Sequence, residues 1–120
     1  MNATFYYGSE KIRINETICD IERDTIMIVK FFAFFRDPEF AGCKEMQWPE
    51  EASSVYELCH QIADRFGPKF RNELLTPDGE AISDRSFVLV NGRRIEFLNG
   101  IHTPLKNSDT VYVFPVVAGG

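Results

Sequence analysis

Ile26-Met27-Ile28-Val29-Lys30-Phe31-Phe32-Ala33-Phe34-Phe35 is dense in β-branched and aromatic residues and runs straight into the turn-forming Arg36-Asp37-Pro38. That composition reads as a buried central strand. Near the other end of the chain, Thr110-Val111-Tyr112-Val113-Phe114 has the same character and follows the polar turn Lys106-Asn107-Ser108-Asp109. Two apolar strands this far apart in sequence are expected to lie side by side and parallel in the middle of one sheet.

The residues between them supply the rest of a sheet and its cover. Lys44 to Trp48 alternates Met46 and Trp48 with polar neighbours and stops at Pro49, so it reads as a second strand returning beside the first through the loop that holds Gly42. Ser54-Val55-Tyr56-Glu57 carries a capping-box pattern, and Val55, Leu58, Ile62, Ala63 and Phe66 recur at helical spacing until Gly67-Pro68. This predicts a helix with one apolar face. Burying Val55, Leu58, Ile62 and Phe66 contributes roughly 1.5 to 3 kcal/mol each, which fixes the helix against a sheet.

Phe70 to Leu75 predicts a short second helix, and Thr76-Pro77-Asp78-Gly79 a turn, with Pro and Gly at favoured positions. Phe87 to Val90 reads as a strand, Asn91-Gly92 as a two-residue hairpin turn, and Arg93 to Phe97 as the returning strand. The expectation is an α+β fold, a β-grasp (ubiquitin-like) mixed sheet with one main helix packed across it, spanning residues 26–120. Residues 1–25 form an N-terminal extension in which Thr4–Tyr7 and Lys11–Ile14 are placed to pair as a small hairpin around Gly8-Ser9.

Composition narrows the function. A chain of 120 residues and 13.8 kDa makes one domain, and its eleven Phe residues supply apolar area to bury. Thirteen basic against eighteen acidic residues leave a net charge of -5, the wrong sign for a nucleic-acid partner. Cys19, Cys43 and Cys59 include no C-x-x-C pair, so neither a disulfide framework nor a metal site is expected. Met1 to Asp24 lacks a basic start followed by an apolar run, which predicts a cytoplasmic protein. The segment Ile26 to Phe35 is interrupted by Lys30 and is far short of the about 20 residues that cross a bilayer, so no membrane association is expected.

Familiar catalytic signatures are missing from the sequence: it has no P-loop, no G-x-S-x-G, no H-E-x-x-H and no EF-hand loop. His60 follows Cys59, but successive helical residues point about 100 degrees apart, so adjacency does not make a nucleophile and its base. His102 reads as a loop residue, and Arg93-Arg94 as a solubilising pair on a hairpin. Three scattered cysteines do not supply the four ligands of a plant-type iron–sulfur cluster.

The remaining anomaly is Phe114-Pro115-Val116-Val117-Ala118-Gly119-Gly120. Pro115 removes a ladder donor, so the segment 115–120 is expected to leave the sheet as an extended, flexible tail of small residues. A free carboxylate is a poor electrophile at neutral pH and needs activation, for which adenylation by ATP is the direct route. Two glycines place no Cβ in the way of attack or of close backbone approach.

With Val29-Lys30-Phe31-Phe32-Ala33 opening the sheet and Val113-Phe114-Pro115-Val116-Val117-Ala118-Gly119-Gly120 closing the chain, the sequence resembles the ubiquitin-like sulfur-carrier family, above all the small subunits of molybdopterin synthase. That resemblance implies a protein that is not an enzyme on its own and binds no cofactor. An E1-like adenylating enzyme would use ATP to activate Gly120, sulfur would replace AMP to give a thiocarboxylate, and the large molybdopterin synthase subunit would take that sulfur. Gly119, Ala118, Val117, Val116, Pro115 and Phe114 would be gripped by these partners. Phe32 would belong either to an apolar docking surface or to the core. The family commonly has a second proline where Val116 stands, and its short pattern lacks the 25-residue extension. The alternatives are a ubiquitin-like modifier conjugated to lysines, a sulfur carrier for thiamin or cysteine synthesis, or a β-grasp interaction module with an incidental Gly-Gly end.

Overall fold

The computed structural model describes residues 26–117; the expected hairpin within residues 1–25, Cys19, and Ala118, Gly119 and Gly120 lie outside them. Five strands form one mixed sheet: β1 (Ile28–Phe31), β2 (Glu45–Gln47), β3 (Ser86–Val90), β4 (Arg93–Arg94) and β5 (Thr110–Pro115), in the order β2-β1-β5-β3-β4. β1 and β5 pair in parallel from Ile28 opposite Thr110 to Phe31 opposite Val113, and the other pairings are antiparallel. This is the expected β-grasp arrangement.

Helices α1 (Val55–Phe66) and α2 (Pro68–Leu74) accompany the sheet. The Ser54 side chain accepts from the Glu57 amide at 3.1 Å, while the Glu57 carboxylate reaches one residue beyond the cap, accepting from the Ser53 amide and hydroxyl at 2.7 and 2.9 Å. These bonds from Ser53 hold the Glu57 carboxyl below its ordinary value. A lowered carboxyl stabilises the fold above its unfolded pKa, and that contribution fades as pH falls through the folded value. Gly67, at φ +100°, ends α1 with its amide donating to the Ala63 carbonyl at 2.9 Å, and Pro68 opens α2 where its missing N–H has no role. The second helix therefore starts two residues earlier than the expected Phe70.

Two strands are shorter than their apolar content implied. β1 stops at Phe31, because Ala33 takes a left-handed φ of 52° and Ala33–Arg36 wind into a 3₁₀ turn. Hydrophobicity continues through Phe34 and Phe35, but Phe35 serves the core from that turn rather than from a strand. The Asn91-Gly92 turn has φ of 53° and 88°, as a two-residue hairpin of the primed type requires. Its return strand covers only Arg93–Arg94 before Ile95–Phe97 coil into another 3₁₀ turn.

Alternation along the strands divides the sheet. Val29, Phe31, Val88, Val111 and Val113 are fully buried together with Val55, Leu58 and Ile62 of α1. Phe70 on α2 is the hub of an aromatic cluster, its ring centroid 4.4 Å from Phe35, 5.6 Å from Phe40, 5.7 Å from Phe66 and 5.9 Å from Phe31. Truncating a buried Phe forfeits both transfer energy and packing. Phe70→Ala is therefore expected to lower unfolding stability by about 3 to 5 kcal/mol in a urea titration, and a loss below about 1 kcal/mol would contradict this cluster as the centre of the core.

Candidate partner-docking face and tail root

The strand positions that do not face α1 gather on the opposite side of the sheet. Phe32 is the first residue after β1; since Phe31 stands opposite Val113, Phe32 stands next to Phe114, and Phe114 is the register partner of Phe87 on β3. The three rings lie parallel across the strands: Phe32 to Phe114 at 4.0 Å with 6° between planes, and Phe114 to Phe87 at 4.8 Å with 2°. Ring spacing follows strand spacing, about 4.8 Å in any sheet, so the ladder is a direct product of register. Tyr112 adjoins it, 6.2 Å from Phe32.

Cations close the ends of this ladder. The Arg36 guanidinium lies 5.1 Å from the Phe32 ring, and its Nε donates to the Phe31 carbonyl at 2.8 Å. Arg94 lies 4.8 Å from the Phe87 ring and pairs with Glu96 at 2.8 Å, which holds the Glu96 carboxyl below its ordinary value. Lys30 sits 5.7 Å from Tyr112 and 3.7 Å from the Glu45 carboxylate. Two of the three cations that edge this half-buried aromatic face, Arg94 and Lys30, are thus paired with carboxylates. The open question about Phe32 is answered by its position: it is half-buried on this outer face and is not part of the core.

The ladder meets the tail at Phe114. The expectation that the tail begins at Pro115 needs correction, for Pro115 is buried, belongs to β5 and stands opposite Ser86. One residue further, the Val116 amide donates to the Arg85 carbonyl at 2.8 Å. Successive amides in a strand face opposite sides, so the Pro115 nitrogen faces the side of β1, which has already ended at Phe31. Its missing donor therefore leaves no ladder bond unmade. Val116 and Val117 are 52% and 50% exposed. Ala118, Gly119 and Gly120 follow outside the described residues.

Of the residues anticipated from sequence, Phe32 and Phe114 come together and Pro115, Val116 and Val117 continue from them. Phe87, Tyr112, Arg36 and Arg94 were not anticipated as part of this face; strand alternation counted from Val113 and Val88 would have placed Phe114, Tyr112 and Phe87 outward. The pair Cys59 and His60 is not a catalytic dyad. Cys59 is buried, its thiol pushed up to about 12 by burial, while His60 Nε2 lies 2.8 Å from the Gly79 carbonyl. His102 ends a 3₁₀ turn and stacks on Tyr56 at 5.6 Å. In the folded protein, iodoacetamide at pH 8 is expected to leave Cys59 unmodified and to alkylate it only after denaturation; peptide mass mapping reads the difference, and rapid labelling of native Cys59 would contradict its burial.

The sheet order, the parallel central pair and the helix lying across one face define a ubiquitin-like β-grasp protein, with a tail leading from its last strand. The chain belongs to the ThiS family, whose model matches residues 29–120. It is similar to small archaeal modifier protein 3 of Haloferax volcanii, 37% identical over 77% of this chain and 96% of that protein. The solution structure of small archaeal modifier protein 1 from Methanosarcina acetivorans is 27% identical, with a TM-score of 0.66 over 80% of this chain and 97% of that one. A Pyrococcus furiosus protein described as subunit 1 of a molybdopterin converting factor is 31% identical, with a TM-score of 0.54 over 78% of this chain and 99% of that one. Among the described residues no helix is long and apolar enough to cross a membrane.

Proposed function

We propose that this chain is a sulfur carrier whose terminal glycine, Gly120, is converted to a thiocarboxylate, and that it supplies this sulfur to molybdopterin synthesis as the small subunit of a synthase complex. The observation that carries the reading is the family match extending through residue 120; the likeness to the Pyrococcus molybdopterin converting factor subunit supports this destination for the sulfur.

In the proposed sequence, a carboxylate oxygen of Gly120 attacks the α-phosphorus of ATP and expels pyrophosphate, in the active site of an E1-like adenylating partner. A hydrosulfide equivalent then adds to the acyl carbon and AMP leaves, so one oxygen has been exchanged for sulfur. The chain contributes the electrophile and the surface by which it is held: Phe32, Phe87, Phe114 and Tyr112 dock, and Val116, Val117, Ala118 and Gly119 are threaded. Absence of a Cβ at Gly119 and Gly120 leaves the acyl carbon open from both sides. ATP is the partner's substrate; this chain is not a nucleotide-binding protein in this account.

A second reading has its own support in the Haloferax relative named as a modifier. There the same activated glycine is taken by a lysine amine, giving an isopeptide bond. Delivery of sulfur to thiamin or cysteine synthesis uses the same first step and differs only in the acceptor.

Removing Gly120 deletes the reacting group while leaving every described strand in place. The deletion variant is expected to melt within about 2 °C of the parent, a change well under 1 kcal/mol, yet to yield no molybdopterin when mixed with the activating enzyme, ATP, a sulfur donor, the large synthase subunit and its pterin substrate. Molybdopterin formation by the deletion variant would refute the terminal-glycine role. Gly-Gly remnants on host lysines, with no synthase subunit co-purifying with the intact chain, would favour the modifier reading.

A further inference from the structure

The short return strand leaves the sheet open at one edge. β4 pairs only with Leu89 and Val90, so Ser86, Phe87 and Val88 have no strand beside them on that side, and the chain coils instead into the 3₁₀ turns Ile95–Phe97 and Gly100–His102. Between these turns and the loop before β3 lies a cleft of about 390 Å³. Its floor is aliphatic: Val88, Ile95 and Ile101 are buried, Ile82 is half-buried, and Ala81 stands exposed at the rim. Phe87 of the ring ladder and Val116 line it as well, so the cleft adjoins both the aromatic face and the point where the chain leaves the sheet.

The lining selects among occupants. A small polar ligand needs free groups to orient it, but the Ser83 and Ser86 hydroxyls both donate to the Glu73 carbonyl, at 2.5 and 2.6 Å. At the rim Arg94 pairs with Glu96 at 2.8 Å, while Asp84 is exposed and pairs with no cation among the described residues. The chain's own last residues, Ala118, Gly119 and Gly120, offer nothing larger than a methyl group and end in a carboxylate of the same sign as Asp84. An apolar side chain from another protein, with a basic residue next to it, matches both the floor and the rim.

We propose that this cleft is the anchoring pocket for the E1-like adenylating enzyme, taking one bulky apolar side chain of that enzyme beside a basic residue that faces Asp84. The proposal rests on the terminal-glycine reading and adds to it a contact separate from the ring ladder and from the reacting glycine. Continuity points to this partner: an enzyme that docks on Phe87 and receives the chain beyond Val116 passes over the mouth of the cleft. Interfaces concentrate their binding energy where an anchor fills a dry pocket, so closing the cleft costs affinity and leaves the chemistry alone.

Three substitutions in the full chain test this. Ala81→Trp fills the cleft from its rim and keeps the backbone bonds between Ala81 and Thr76. Asp84→Lys reverses the rim charge, and Glu50→Lys makes the same change in net charge at an exposed residue after β2. Calorimetric titration into the adenylating enzyme without ATP reads docking, and pyrophosphate release with ATP reads activation. Ala81→Trp is expected to weaken Kd about tenfold or more and Asp84→Lys about threefold, with Glu50→Lys within about 1.5-fold of the parent. At saturating chain, kcat for pyrophosphate release stays within about twofold for all three. Should Ala81→Trp melt well below the parent, the contrast between Asp84→Lys and Glu50→Lys decides.

A parental Kd for a folded Ala81→Trp would overturn the proposal, as would equal weakening by Asp84→Lys and Glu50→Lys. So would a parent chain that sediments as a dimer and that Ala81→Trp separates, since a second copy would then fill the cleft. Failure of the terminal-glycine reading looks different: pyrophosphate release would persist when Gly120 is deleted, whatever the calorimetry reads.

Discussion

Parallel pairing of β1 with β5 is the constraint from which the other features follow. It brings the first and last strands of the fold into the centre of the sheet, so residues more than eighty positions apart become neighbours in one register. Contacts so far apart in sequence carry a large loop-closure penalty that only burial can offset, and the fully buried Val29, Phe31, Val111 and Val113 beneath Val55, Leu58 and Ile62 supply it. The same register sets what appears on the opposite side. With Phe31 against Val113, Phe32 can only stand beside Phe114, and the antiparallel pairing of β5 with β3 adds Phe87. A slip of one residue would turn these rings inward and expose the valines.

The outer face and the tail are consequently one structure. The strand that contributes Phe114 to the ring ladder continues two residues later as Val116, whose amide donates to the Arg85 carbonyl, so in the proposed function a partner docked on the rings would meet the tail at that point. Arg36 and Arg94 lie over the outermost rings, where each cation contact adds about 0.5 to 1 kcal/mol at an exposed site. Cys59 and the two histidines take no part: the thiol is buried, and the imidazoles pack on Tyr56 of α1.

Much of the fold was legible because its determinants are local and periodic. The apolar face of Val55, Leu58 and Ile62, the Ser54 cap and the Asn91-Gly92 turn each announce themselves within a few residues, and the order of the strands then leaves few topologies. The two misjudged strand ends have a common origin. Ile26 to Phe35 is apolar throughout, yet the backbone turns at Ala33 and uses Phe35 from a 3₁₀ turn, a distinction that hydrophobicity does not encode. Arg93 to Phe97 likewise needed its short pairing to be seen in space. At the site, Phe32 and Phe114 were visible from their motifs, whereas Phe87, Arg36 and Arg94 join them only through cross-strand register. Pro115 misled for an instructive reason: its missing donor faces the side where β1 has ended, so the strand passes through it.

In the proposed function the chemical centre is the carboxyl group of Gly120, which the rest of the molecule would present to its partners. The most direct measurement is the high-resolution mass of the C-terminal peptide from chain purified out of its native host under conditions that preserve thioacids. A fraction carrying sulfur in place of one oxygen, located to Gly120 by fragmentation and lost on brief hydrolysis, is the predicted result. A terminal peptide that is wholly carboxylate in cells actively making the cofactor, with neither the sulfur-substituted form nor a lysine conjugate present, would contradict the account.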